Sequence, residues 1–296
     1  MRCWMISISI IIVLFFLYSC DNKEERKKTV VEVVSIWLDS EYYSERVYAL
    51  KYICDNKIKS GKLAKKMYDI INSQASTDLE KCWAHAVLYQ MDINKKRHME
   101  SLVRYYKKHP ENIHFGEQFK NFIEDAMPVL KKNLSNDKLK EKTLLIIAIG
   151  EKDIDNISAT IKTLLLEEDD KMNKLCARWA LARIGENPHE NIRHMNKMFM
   201  ESEELNFKSR YLTLAVVTHR DDREIAKYFL PAMCKELREN DDNTIKSHII
   251  TGISFFHSYE ESKKCLKEVY YSENNKKLKE EIKIAVPELN PHVPTP

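Results

Sequence analysis

Glycine is scarce in this sequence: only five of the 296 residues are glycine, where an average composition has about 7%. So few glycines allow few tight turns, which disfavours a sheet-rich fold. Glycine-rich phosphate loops are excluded as well, because Ser60-Gly61-Lys62 lacks both the upstream glycine and the following hydroxyl residue. The GxSxG motif of many hydrolases is also missing.

A strong excess of one charge sign is missing too. The chain has 48 lysines and arginines against 45 aspartates and glutamates, with a formal net charge of +3. Proteins that bind nucleic acid carry a large basic excess. We therefore expect no nucleic acid among the partners.

Motifs for metal binding and catalysis are missing as well. None of the seven cysteines forms a CxxC pair. In "HENIRH", His189 and His194 are five residues apart, so on a helix they diverge by about 140° and cannot share a metal as the two histidines of HExxH do. The segment "EKDIDN" at 151–156 lacks the glycine and the bidentate glutamate of a calcium loop. We expect no metal, no cofactor and no catalytic residue.

Five cysteines lie beyond the first twenty residues, at roughly regular spacing. An odd number on helix faces favours small core residues over disulfides, although an exported chain would permit oxidation. These cysteines are Cys54, Cys82, Cys176, Cys234 and Cys265.

The one long apolar run lies near the N-terminus, from Met5 to Tyr18. Arg2 precedes the run and the small residue Ser19 follows it, which is the pattern of a secretory signal. The run is shorter than the ~20 residues of a membrane-spanning helix. We expect residues 1–19 to be a cleaved signal peptide, and an uncleaved N-terminal anchor is the alternative.

The segment "LYSC" from Leu17 to Cys20 resembles the lipobox of bacterial lipoproteins. This resemblance implies that Cys20 becomes the first residue and carries acyl chains, such as palmitate, that hold it in the membrane. Residues 20–28 then form a polar tether. Asp21 resembles an inner-membrane retention signal, whereas Lys23-Glu24-Glu25 resembles the export signal of surface lipoproteins. The implied location is the bacterial cell envelope, with the outer membrane favoured over the inner membrane.

Apolar residues recur at intervals of three and four through residues 29–286, which predicts an all-α domain. In the segment 171–202, one predicted helix is apolar on two sides and ends at Gly185, and the next begins near Pro188. Three pairs fit capping boxes or a close variant: Thr77 with Glu80, Asp221 with Glu224, and Ser258 with Glu261. Residues 287–296 form a proline-rich tail.

The helix pairs repeat along the chain. "LLIIAIGEKD" at 144–153 matches "WALARIGENP" at 179–188, and weaker copies lie at 45–56, 82–92, 213–222 and 247–258. These pairs resemble HEAT repeats, with tetratricopeptide-like pairing as the alternative. The resemblance implies a right-handed α-solenoid of antiparallel helix pairs, in which the second helices line a concave surface that binds proteins.

One surface feature stands out from the charge balance. Residues 21–110 hold 18 basic and 13 acidic side chains, and many of the basic ones fall on the second helices of the first two pairs. They form a candidate docking site for an acidic protein partner, and the alternative is that they only solvate helix faces. The candidate residues are Lys62, Lys65, Lys66, Lys95, Lys96, Arg97, Arg104, Tyr105, Tyr106, Lys107 and Lys108.

Three functions fit these patterns. The first is a membrane-tethered, non-catalytic scaffold or protein-binding lipoprotein of the envelope. The second is an immunity lipoprotein that neutralises a toxin acting on the envelope. The third is an enzyme built on an α-solenoid, for which a pocket with a perturbed acidic or histidine side chain would be the sign.

Overall fold

The structure is a computed structural model that describes residues 23–289, with side chains from residue 29 onward. The expected signal peptide, the proposed lipid site Cys20 and the last residues of the tail lie outside the described residues. Over residues 23–289 the chain is helical and contains no strand. The expected all-α fold is confirmed, and none of these helices is long and apolar enough to span a bilayer.

The chain forms two compact units, divided between Ile146 and Ile147. The helices that begin in the first unit are α1 (Lys23–Leu38), α2 (Tyr43–Asp55), α3 (Gly61–Asn72), α4 (Asp78–Gln90), α5 (Lys95–Lys108), α6 (Ile123–Asn133) and α7 (Asp137–Gly150). Two short 3-10 helices, Ile113–Phe115 and Glu117–Phe122, lie between α5 and α6. They occupy the stretch in which the sequence repeat is hardest to follow.

The second unit continues with a 3-10 turn, Ile154–Asn156, and then consists of helices joined by short connections. These helices are α8 (Ile157–Glu167), α9 (Lys171–Arg183), α10 (Pro188–Glu201), α11 (Leu205–Asp221), α12 (Arg223–Ala226), α13 (Leu230–Glu239), α14 (Asn243–Ser254), α15 (Glu260–Ser272) and α16 (Lys276–Ala285). Two further 3-10 turns are Lys227–Phe229 and Pro287–Leu289.

In the first unit, α4 is the most enclosed helix. It packs against α2, α3 and α5, and every side chain from Cys82 to Tyr89 is buried. Burial on all sides explains why its sequence is apolar around the whole helix and not along one stripe. The helix begins with the predicted capping box, in which Thr77 and Glu80 exchange side-chain to backbone hydrogen bonds.

In the second unit, α11, α14 and α16 pack side by side, and α13 packs against α15. The predicted end of α9 is confirmed, because Gly185 has φ +87° and the Glu186 N–H donates to the Leu181 carbonyl at 2.9 Å. A side chain at residue 185 would be strained at this φ.

Helix α1 begins at Lys23, and the tether function of residues 20–28 stays a prediction. Two local expectations differ from the structure. The cap of α12 is Asp222, one residue after the predicted Asp221, and its carboxylate accepts from the Ile225 N–H. Helix α15 follows Tyr259, whose side chain makes no cap bond, so the predicted Ser258–Glu261 box is wrong.

Candidate protein-docking surface

The two helices that carry the basic residues lie beside each other in the first unit. Lys59 Nζ, just before α3, is 2.5 Å from Asp92 Oδ2, just before α5. Further along, the rings of Tyr68 in α3 and His98 in α5 have centroids 6.3 Å apart. Charges some 30 residues apart in sequence therefore belong to one surface.

Six basic side chains on these helices are exposed and have no ion pair among residues 29–289. We call them the basic surface: Lys62, Lys65, Lys96, Arg97, Arg104 and Lys107. Arg104 also lies over the Tyr105 ring, 5.8 Å from its centroid. Two exposed carboxylates, Asp69 and Glu100, lie on the same helices. The positive excess on α3 and α5 is therefore available to a partner.

Three of the candidate lysines have carboxylate neighbours instead. Lys66 pairs with Asp39, Lys95 with Asp92 at 3.1 Å, and Lys108 with Asp78 at 2.6 Å. The hydrogen bond from Lys108 lowers the pKa of Asp78. Asp39 and Asp78 offset the charges of Lys66 and Lys108, so these two lysines add little to the field that a partner meets. Asp92 is shared between Lys59 and Lys95, so it offsets only one of their two charges.

The two tyrosines predicted to offer contact area differ in exposure. Tyr106 is fully buried, and its hydroxyl lies within hydrogen-bond distance of Thr143 Oγ1, so it is a core residue and that prediction is wrong. Burial raises the pKa of Tyr106 to about 12. Tyr105 is half-buried, and its ring stacks 6.4 Å from Phe115. Only part of one tyrosine is left for a partner.

Beneath the basic surface lies a histidine pair that sequence reasoning missed. His85 of α4 and His98 of α5 are 5% and 2% exposed, and their Nδ1 atoms are 2.7 Å apart. One Nδ1 must donate a proton and the other must accept it, so the short contact requires a neutral acceptor ring. His98 Nε2 is buried and has no partner within the described part of the chain.

The surroundings of the pair disfavour a positive charge. Burial, followed by repulsion from His98, lowers the pKa of His85 to about 4. Burial and the nearby Arg97 also lower the pKa of His98. Both rings are therefore neutral near pH 7. A single hydrogen bond between their Nδ1 atoms joins α5 to α4.

The C-terminal end of α5 is held by a buried base, Lys142 of α7. Its Nζ donates to the carbonyls of Tyr106 at 3.0 Å and His109 at 2.7 Å, and it lies 4.3 Å from the centroid of the Tyr106 ring. Desolvation lowers the pKa of Lys142 to about 8. The lysine satisfies carbonyls that a helix leaves without partners at its end. In the sequence Lys142 ends the charged first part of α7, directly before the apolar run at 144–149, so it looks like a surface lysine and gave no signal of this role.

The cysteines follow the expectation only in part. Cys54, Cys82 and Cys176 are buried core residues, and burial raises the pKa of Cys54 to about 12. Cys234 of α13 and Cys265 of α15 instead form a disulfide, with Cα atoms 5.9 Å apart. The packing of α13 against α15 brings the two thiols within bonding distance, which corrects the expectation of no disulfide.

One groove bears on the idea of an enzyme. It has a volume of about 560 Å³ and lies between α11 and α14, where Ser209 Oγ is 3.2 Å from His248 Nδ1. A catalytic serine needs a histidine that is oriented by a third group. Between residues 29 and 289, no carboxylate accepts a hydrogen bond from His248, and no cluster of three or more metal-ligating side chains is found. The Ser209–His248 contact is therefore an incomplete constellation.

Comparison with known proteins gives no relative from which a role could be transferred. No protein-family model matches this chain, and no curated protein matches it.

Proposed function

We propose that this protein is a membrane-tethered binding protein that docks the acidic surface of a protein partner on its basic surface. The observation that carries the proposal is the set of six exposed cations on the neighbouring helices α3 and α5, none of which has an ion pair in the described part of the chain. A surface of one sign speeds the association of an oppositely charged partner and orients it. The buried His85–His98 pair and Lys142 fix α5 to its neighbours, so the cations are held on a rigid element.

The fold proposed with this function is a right-handed, HEAT-like α-solenoid. It is supported by short helix pairs whose equivalent members are neighbours, such as α2 with α4 and α11 with α14. The sequence repeat has a structural counterpart, because the aligned tryptophans Trp83 and Trp179 are both buried. Repeating pairs of this kind build long surfaces for proteins.

We further propose that the chain is held in the bacterial envelope by a lipid on Cys20, with the outer membrane favoured. The apolar run and the lipobox-like "LYSC" are the sequence support. The Cys234–Cys265 disulfide agrees with export, because disulfides persist in oxidising compartments outside the cytoplasm. Intact-mass analysis of the membrane-extracted protein tests this. A chain that begins at Cys20 with acyl chains is expected, and one that retains residues 1–19 would contradict it.

Affinity capture from solubilised membranes, compared across three versions of the protein, tests the docking surface. The parent should capture a partner that the variant Lys62→Glu, Lys65→Glu, Arg97→Glu loses. A matched control reverses three exposed cations of the second unit, Arg193, Lys264 and Lys276, which have no ion pair within residues 29–289. The control should still capture the partner. If all three versions capture the partner equally, the basic side chains only solvate the helix surface and do not bind the partner.

A further inference from the structure

The first helix carries an apolar flank that its neighbours leave open. Val33, Ile36 and Trp37 lie within one turn of each other on the same side of α1. Ile36 is 69% exposed, and Val33 and Trp37 are half-buried. Rotated by about 100° from Val33 and Trp37, Val34 and Leu38 are buried against the rest of the unit. Helix α1 is thus apolar both toward the core and toward the outside.

Aromatic rings of α2 extend this flank. Trp37 meets Tyr48 with ring centroids 5.7 Å apart and Tyr52 at 6.3 Å, and Tyr48 is 47% exposed. Val33, Ile36, Trp37, Tyr48 and Tyr52 together form what we call the aromatic face. A contiguous exposed apolar patch of this kind marks an interaction site for protein or membrane.

The residues that precede α1 favour a membrane over a protein as the partner of the aromatic face. Lys23, the first residue of α1, is three residues after Cys20, a span of at most about 11 Å. If the apolar run is kept as an uncleaved anchor, Tyr18 is five residues before Lys23, at most about 18 Å away. In either case α1, which is itself about 24 Å long, begins close to a bilayer.

We propose that the aromatic face lies on the surface of the membrane that holds the N-terminal end of the chain, with α1 along the bilayer plane. The proposal rests on the membrane anchoring given under the proposed function, but not on the docking surface. Tyrosine and tryptophan favour the boundary between headgroups and acyl chains, because an apolar ring and a polar group each find their own environment there. The sequence of residues 23–28 has four basic and two acidic residues, a balance that suits anionic headgroups.

Quenching of Trp37 by brominated lipids tests the contact. The full-length gene, with Trp4→Phe, is expressed, and the protein is extracted from membranes and reconstituted into phosphatidylethanolamine and phosphatidylglycerol vesicles. Trp83 and Trp179 are buried, so the emission removed by a further Trp37→Phe substitution belongs to Trp37. We expect brominated acyl chains to quench most of that emission.

Paired variants connect the quenching to the face. Ile36→Glu with Tyr48→Glu should abolish the quenching of Trp37 while the protein still floats with the vesicles. Leu166→Glu, at an 88% exposed leucine of the second unit, is the control and should leave the quenching unchanged.

Two contrary results are distinguishable. If the protein floats with vesicles while Trp37 stays unquenched, the membrane contact is wrong and the lipid anchor is still supported. The same conclusion follows if a captured protein shields Trp37. A protein that does not float at all would overturn both the anchor and the contact.

Discussion

Nδ1 of His85 lies 2.7 Å from Nδ1 of His98, and this contact joins α5, one of the two helices that carry the basic surface, to the buried helix α4. The groups that face the pair are Tyr68 from α3 and Arg97, Arg104 and Tyr105 from α5. All are neutral or positive near pH 7, so none compensates a charge on either ring. Protonation of the second ring removes the acceptor and places a cation beside two arginines.

The first prediction is therefore a loss of stability in mild acid. The pKa of His85 is about 4 in the folded chain and 6.5 when unperturbed, so the unfolded state binds more protons between these values. Stability is fully present above pH 6.5 and declines as the pH falls toward 4. His85 alone should lower the free energy of unfolding by about 2 kcal/mol between pH 7 and pH 5.

Urea denaturation at several pH values measures this effect. The double variant His85→Leu, His98→Leu replaces both partners by apolar groups, so its stability should fall less as the pH drops through the same window. Other titrating groups remain in both proteins, so the difference between the two profiles reports the histidine pair. Equal pH profiles for the parent and the variant would show that the pair does not titrate on unfolding.

The second prediction concerns Trp179, which is 2% exposed and whose indole Nε1–H donates to Thr218 Oγ1 at 2.9 Å. Truncation to alanine leaves a cavity between α9 and α11, so Trp179→Ala should cost ~3–5 kcal/mol. Thr218→Val keeps the shape but removes the acceptor, and should cost about 1–3 kcal/mol. Chemical denaturation measures both changes. A silent Trp179→Ala would contradict the packing of these helices.

The third prediction concerns the Cys234–Cys265 disulfide, which joins residues 31 apart in sequence. Constraint of the unfolded chain should stabilise the protein by about 2–4 kcal/mol. Reduction, or the double variant Cys234→Ala, Cys265→Ala, should lower the denaturation midpoint by a comparable amount. Peptide mapping without reduction should recover the two cysteines in one cross-linked product. Alkylation of both cysteines in unfolded, unreduced protein would contradict the pairing.

Local features of the fold were visible in the sequence because they depend on short-range spacing. The capping box of Thr77 and Glu80, the left-handed Gly185 and the burial of Trp83 and Trp179 each follow from residues within a few positions of one another. The position of Tyr106 also had a local signal that was overlooked. It lies four residues after the buried Leu102, on the same stripe, whereas Tyr105 is displaced by about 100°.

The missed features depend on contacts between helices. His85 and His98 are 13 residues apart and meet only because α5 folds back on α4 in one register. The register of α13 against α15 likewise decides whether Cys234 and Cys265 bond or only pack. Which lysines stay unpaired depends on whether a carboxylate such as Asp39 or Asp78 lies within reach across a neighbouring helix. Periodicity assigns residues to faces, but it does not fix such registers.

The most direct measurement of the docking surface is the association rate of the captured partner at increasing salt concentration. For the parent protein we predict a rate that falls steeply with salt, because the six cations of the basic surface steer the encounter and salt screens them. The Lys62→Glu, Lys65→Glu, Arg97→Glu variant should associate slowly and lose most of this salt dependence, while the Arg193→Glu, Lys264→Glu, Lys276→Glu control behaves as the parent. A folded Lys62→Glu, Lys65→Glu, Arg97→Glu variant with the parent's rate and salt dependence would contradict the basic surface as the docking site.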